Sequence, residues 1–265
     1  MRTEMSVPRV IVRPVWGTMI RIEVRDASAN DATRPVWEWF RRVDELFSTW
    51  RDDSEISRLA RGDLELTATN RHVRTVLALC DRLKAESRGA FDIAFAANAN
   101  EPTLPGRCAI DPTGVVKGWA VDRAGELLLA EGVTDFAINA GGDILVRAVG
   151  RPPTAWRIGI QHPWERDKTA ETVALANGAV ATSGNYERGD HVVNARSGRP
   201  AVGLAAVTVV ASELVTADGY ATAALALGRD GMPWLATVPG IVAIGITDDR
   251  RVVKTAGFDD VVMRR

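Results

Sequence analysis

Segments with a two-residue apolar period and segments with a three-and-four period follow one another irregularly along this chain, which limits its fold more than any other feature. Residues 9–25 read as strand, with β-branched residues alternating around Trp16-Gly17-Thr18. Residues 31–47 read as helix, with Val36, Trp39, Phe40, Val43, Leu46 and Phe47 on one face. A second helix is predicted over 70–87, with Val73, Val76, Leu77, Cys80 and Leu83 as its apolar face and Arg88-Gly89 at its end. Residues 112–131 read as a loop feeding a helix, and 216–227 as another helix. Strands are predicted at 135–139, 144–149, 156–161, 172–182, 191–194, 204–211 and 240–247. Regular alternation would imply a doubly wound parallel sheet. This order instead predicts an α+β fold, with mixed or antiparallel sheets and packed helices, as one domain over 1–265.

Composition removes several function classes. The formal net charge is −1, and basic residues cluster no further than pairs such as Arg41-Arg42, so no field draws this chain to nucleic acid. The apolar runs GLAAVTVVA and GIVAIGI are too short to span a bilayer, so no membrane insertion is expected. The first ten residues, MRTEMSVPRV, lack the apolar core of a signal peptide, and the expected location is cytoplasmic. Cys80 and Cys108 show neither zinc-site nor disulfide spacing; Cys80, in VLALC, reads as a reduced core thiol. Neither GxGxxG nor GxxxxGK[ST] is present.

Five short segments carry candidate chemistry. In TADGYAT, Asp218 and Thr222 are four apart on one helix face, a carboxylate and a hydroxyl suited to a hard cation such as Mg2+. The alternative is that Asp218 offsets the helix dipole while Thr222 packs. In IDPTGVVKG, Asp111, Lys117 and two glycines surround a helix start that favours anions, or simply form a capped helix with an exposed lysine. Asn139-Ala140-Gly141-Gly142-Asp143 reads as a tight hairpin turn or as a close backbone approach to a ligand. SGNYER followed by His191 concentrates polar groups after an apolar strand; His191 is either a proton carrier or structural. Trp50, in FSTWRDDSEISRL, offers a flat face for a ring or fills the core.

Taken together and in order, these pieces resemble the ApbE family, the FAD:protein FMN transferases. The resemblance runs from Trp16-Gly17-Thr18 through FSTWRDDSEISRL, GAFD (89–92), IDPTGVVKGWAVD (110–122), INAGGDI (138–144), ATSGNYER (181–188), HVVNARSGRP (191–200) and TADGYAT (216–222). It implies an α+β unit likened to a duplicated T-fold. It also implies Mg2+ held by Asp218, Thr222 and the Gly114 carbonyl, and FAD held at Trp16, Trp50, Ala90, Phe91, Asp92, Asp111, Lys117 and the backbone near His191 and Val192.

The implied reaction transfers FMN from FAD to a Thr or Ser hydroxyl in a motif of an acceptor flavoprotein, releasing AMP. Asp218 and His191 are the implied catalytic residues, with His191 taking the hydroxyl proton. Two other readings stay open at this stage: an Mg2+-dependent FAD pyrophosphatase, in which water attacks, and a non-catalytic FAD-binding protein. The chain departs from its relatives where they commonly read Asp-Pro-Arg-Thr-Gly. Here the stretch is Asn194-Ala195-Arg196-Ser197-Gly198.

Overall fold

The computed structural model describes residues 8–26, 32–95, 109–148, 155–165, 167–184 and 192–263. Its main feature is an eight-stranded sheet in the order β1-β2-β3-β4-β7-β10-β11-β12. The strands are β1 (Arg9–Val15), β2 (Thr18–Val24), β3 (Asp135–Ala140), β4 (Asp143–Ala148), β7 (Gly178–Gly184), β10 (Leu204–Ala211), β11 (Val242–Thr247) and β12 (Val252–Lys254). Every neighbouring pair is antiparallel, as the irregular strand–helix order predicts. Two hairpins complete the strands: β5 (Trp156–Gln161) with β6 (Thr169–Leu175), and β8 (Val193–Asn194) with β9 (Arg199–Pro200).

The helices are α1 (Arg34–Phe47), α2 (Glu55–Ala60), α3 (Arg71–Glu86), α4 (Thr113–Ala130), α5 (Leu214–Leu227) and α6 (Gly231–Leu235). A repeat of hairpin, helix, hairpin is visible: β1-β2, α4, β3-β4, and then β7-β10, α5, β11-β12. The two halves lie side by side in one sheet, so α4 and α5 pack against each other.

The core follows from the side-chain periods. On one sheet face Ile20, Ile22, Phe136, Ile138, Leu145, Val207 and Val209 meet the helices, including Val36, Phe40, Val43 and Leu46 of α1. On the other face Trp156, Ile158, Ile160, Val173 and Leu175 of the β5–β6 hairpin cover Val146, Val180, Val210 and Ile244. Strand β10 is therefore buried along its whole length. Its one hydroxyl, Thr208, is satisfied 2.8 Å from Thr182 across the strand pair. Cys80 is buried, and that burial pushes its thiol up to about 12, as expected of a core cysteine.

Two predictions are corrected. The run 9–25 is not one strand but the hairpin β1–β2, turned at Trp16-Gly17, where both residues take positive φ. The run 172–182 is not one strand but two, β6 and β7, lying in different sheets. Asn177-Gly178 breaks it: Gly178 takes φ 145°, and Asn177 Oδ1 accepts from the Ala148 amide at 3.3 Å. The apolar alternation continues across the turn, so periodicity alone hid it.

Helix α5 is buried almost all round, with alanines at 217, 221, 223, 224 and 226. Helix α4 meets it at Gly118, where an added Cβ would lie 2.6 Å from the Leu214 carbonyl oxygen and 2.8 Å from Val215 Cα. Those neighbours are backbone and cannot rotate away. Gly118→Ala gains up to about 1 kcal/mol of helix propensity but incurs about 1–3 kcal/mol of overpacking. The expected net result is a destabilisation of about 1–2 kcal/mol in urea unfolding; a stabilised variant would show that the helices do not meet there.

Candidate active site

Helices α4 and α5 present facing stripes with the same spacing. Gly114, Gly118 and Asp122 recur every four residues on α4, and Leu214, Asp218 and Thr222 do so on α5. The helices run antiparallel, so the stripes pair as three rungs. At one end an added Cβ on Gly114 would touch Thr222 at 3.3 Å and Phe91 at 3.3 Å. In the middle the Gly118 amide donates to Asp218 Oδ2 at 3.1 Å. At the other end Asp122 accepts from the Leu214 and Val215 amides, each at 2.7 Å.

Charge gathers on the middle rung. Lys117 pairs with Asp143, the first residue of β4, and lies 4.0 Å from Asp218 Oδ1. Both carboxylates are nearly inaccessible, at 2% and 4% exposure. Asp143 Oδ1 also accepts from the Thr182 amide at 3.0 Å, and Ser183 Oγ lies 3.2 Å from Thr222 Oγ1. Strand β7 thus delivers the Thr182 amide and the Ser183 hydroxyl to the place where α4, α5 and β4 converge. Two buried carboxylates around one ammonium leave the cluster short of positive charge.

That deficit bears on whether a cation suits the site. Among the described residues no three His, Cys, Asp or Glu side chains cluster as a metal-binding group. Mg2+ needs only one or two carboxylates, with phosphate and water filling the remaining positions. In an α-helix the amide of residue 118 serves the carbonyl of residue 114. Here that same amide donates to Asp218, so the Gly114 carbonyl has at most a shared donor. A carboxylate, a hydroxyl and a carbonyl with spare acceptor capacity fit a hard cation.

The other expected residues are distributed around this cluster. Trp16 and Gly17 form the two-residue turn between β1 and β2, both with positive φ (52° and 73°). For a tryptophan that conformation is strained. Its ring packs edge-on to Phe40 at 5.1 Å, and its buried Nε1 has no hydrogen-bond partner among the described residues. Thr18, just after the turn, packs against Gly141, next to the Gly142-Asp143 step. Ala90 and Phe91 are buried, and the Ala90 carbonyl accepts from Ala195 at 3.0 Å. Asp92 pairs with Lys84 at 2.8 Å, and exposed Asp111 caps the start of α4 through the Thr113 amide at 3.1 Å. Val192 packs against the core, while Trp50 is 81% exposed. His191 lies outside the described residues.

At the departure from the relatives' pattern, Asn194 closes the β8–β9 turn: its Oδ1 accepts from Arg196 and Ser197 at 3.1 and 3.3 Å. Three residues of the cluster were not singled out from sequence as site residues: Asp143, Ser183 and Asp122. The signal for Asp143 was an acid at the start of an apolar strand directly after Gly-Gly. For Asp122 it was the four-residue spacing from Gly114 and Gly118.

The ApbE family profile matches residues 16–102 and 98–244, and the chain belongs to this family. A FAD:protein FMN transferase of Klebsiella pneumoniae is 24% identical across 94% of this chain and 87% of its own length. Another from Vibrio cholerae is 27% identical over 71% of each. Among solved structures, the Vibrio cholerae flavin transferase ApbE superposes with a TM-score of 0.82 at 23% identity, covering 97% of this chain and 99% of that one. The apo flavinyl transferase ApbE of Pseudomonas stutzeri gives 0.82 at 24% identity, with 98% of each covered. At these identities the superpositions establish the fold.

Burial holds two carboxyls of the rungs above the usual carboxylate range. Asp218 is pushed up to about 7 despite Lys117, and Asp122 to about 6 despite its two amides. A group with a raised folded pKa contributes stability that is complete below its unfolded value, near 3.8, and lost as pH rises through the folded value. In EDTA, the stability of wild type relative to Asp218→Asn should therefore fall as pH rises from about 4 to about 7. Urea midpoints across that range test this; a difference that grows with pH would show that burial does not dominate at Asp218.

Proposed function

We propose that this protein transfers the FMN half of FAD, in an Mg2+-dependent reaction, to a Thr or Ser hydroxyl of an acceptor flavoprotein and releases AMP. The observation that carries the reading is the convergence of Gly114, Thr222, the Asp218 carboxylate and Lys117 at one helix–helix contact. A flavin pocket alone has no use for a phosphate-side cation cluster. The relatives' activity supports the same assignment.

Asp218, Thr222 and the Gly114 carbonyl would hold Mg2+, which when bound neutralises pyrophosphate charge and stabilises the AMP leaving group. Lys117, held by Asp143, supplies a fixed positive charge to a phosphate oxygen. Phe91, against Gly114, walls the cluster from the core side. Trp16, strained and with a buried N–H unpaired among the described residues, suits a face for the bound dinucleotide. The acceptor oxygen forms a bond to the FMN-side phosphorus while the bond from that phosphorus to the AMP oxygen breaks. The hydroxyl proton passes to a base, assigned here to His191. Ala195, in the segment that follows His191, is tied to Ala90 beside Phe91.

Purified protein with FAD, Mg2+ and a candidate acceptor is expected to give a fluorescent acceptor band after denaturation, together with AMP. AMP and free FMN with every acceptor left unlabelled would identify a pyrophosphatase instead. Asp218→Asn should lower AMP release by at least about 100-fold with an unchanged circular dichroism spectrum; wild-type turnover would remove Asp218 from the site. For His191→Ala, transfer within a few-fold of wild type would move the base assignment to another group.

A further inference from the structure

The rung farthest from the proposed metal is a half-buried carboxylate that the reaction itself does not use. Asp122 lies on α4 and accepts from the Leu214 and Val215 amides, each at 2.7 Å, at the first two positions of α5. A helix start leaves such N–H groups without intrahelical partners. The residue preceding α5, Glu213, makes no side-chain cap. The start of α5 is thus capped from the neighbouring helix rather than from its own chain, and the carboxylate also complements the positive end of the helix dipole.

This cap sits at a mechanically special point. Asp122, Gly118 and Gly114 form one stripe, so the cap and the proposed ligands Gly114 and Thr222 lie on opposite sides of the Gly118–Asp218 rung. Each is four residues away from it, about 6 Å along the helix. Gly118 brings the helices into backbone contact, which makes the middle rung a pivot. Once the start of α5 is released from α4, the helix can rotate about that contact and carry Thr222 away from Gly114. Arg147 steadies the same corner, donating to the Ser212 carbonyl just before α5 at 3.4 Å.

We propose that Asp122 is a positioning residue for the metal site: its carboxylate pins the start of α5 so that Asp218 and Thr222 stay in register with the Gly114 carbonyl. The proposal rests on the metal reading above. It differs from a purely stabilising cap in predicting that loss of Asp122 weakens metal binding in the folded protein.

The test is Mn2+ titration followed by electron paramagnetic resonance, with FAD present and no acceptor, on wild type, Asp122→Asn and Asp26→Asn. Asn keeps the shape of Asp122 but accepts only one of the two amides well. Asp26 is a comparable control, a carboxylate that accepts from the Thr134 and Asp135 amides at the β3 entry. Asp122→Asn is expected to weaken Mn2+ binding by about 10-fold or more, within the range that outer supports of a metal site command. Asp26→Asn should bind as wild type does. Equal binding by folded Asp122→Asn and wild type, even with a lowered melting temperature, would overturn the proposal. Absence of Mn2+ binding by wild type itself would remove the metal reading and this inference with it. If Asp122→Asn does not fold, Val215→Pro deletes one partner amide in the first helical turn, where proline is tolerated, and is judged by the same criterion.

Discussion

The close approach of α4 and α5 at Gly118 is the contact on which the site depends. Only a residue without a side chain lets the backbone of one helix rest against Leu214 and Val215 of the other. That approach brings a main-chain amide of α4 within 3.1 Å of Asp218 Oδ2 and places Gly114 against Thr222. With a larger residue at 118, packed helices ordinarily stand 8–10 Å apart or more, and the Asp218 carboxylate would lose its amide. The antiparallel pairing of the two stripes then converts a packing solution into a set of converging polar groups.

Burying Asp143 and Asp218 is costly, and the structure offsets that cost only in part. Asp143 has Lys117 and the Thr182 amide; Asp218 has the Gly118 amide and a more distant Lys117. Fully apolar packing at such positions is often at least as stable as an ion cluster. Stability therefore does not account for the carboxylates, in keeping with the metal-site role proposed above. The same reasoning applies to Trp16, which holds a positive φ, and a buried indole N–H unpaired among the described residues, in a turn where Asn or Gly would be relaxed.

The sheet supplies the rigid reference for these groups. Strands β4 and β7 are neighbours at its centre, and the first residue of one and the last turn of the other bring Asp143, Thr182 and Ser183 to the ends of the helices. Because the two halves repeat the order hairpin, helix, hairpin, the site lies at their junction and draws on both. A ligand bound there, as proposed above, would bridge the two halves, in keeping with a cluster assembled from segments about a hundred residues apart in sequence.

Much of this was readable beforehand. Periodicity located α1, α3, α4, α5 and most strands, and the irregular order gave an antiparallel rather than a doubly wound sheet. The motif order gave the family, and with it the expectation of Gly114, Asp218 and Thr222 as metal ligands and Lys117 as a contact to FAD. What sequence alone determined was therefore local period and residue chemistry, since both are set by neighbours along the chain. Tertiary structure decided the split of 172–182 into strands of different sheets, the pairing of Lys117 with Asp143, and the cap of α5 by Asp122. Each of these depends on a partner brought near by helix and sheet packing, and such partners leave no trace in the period of either segment.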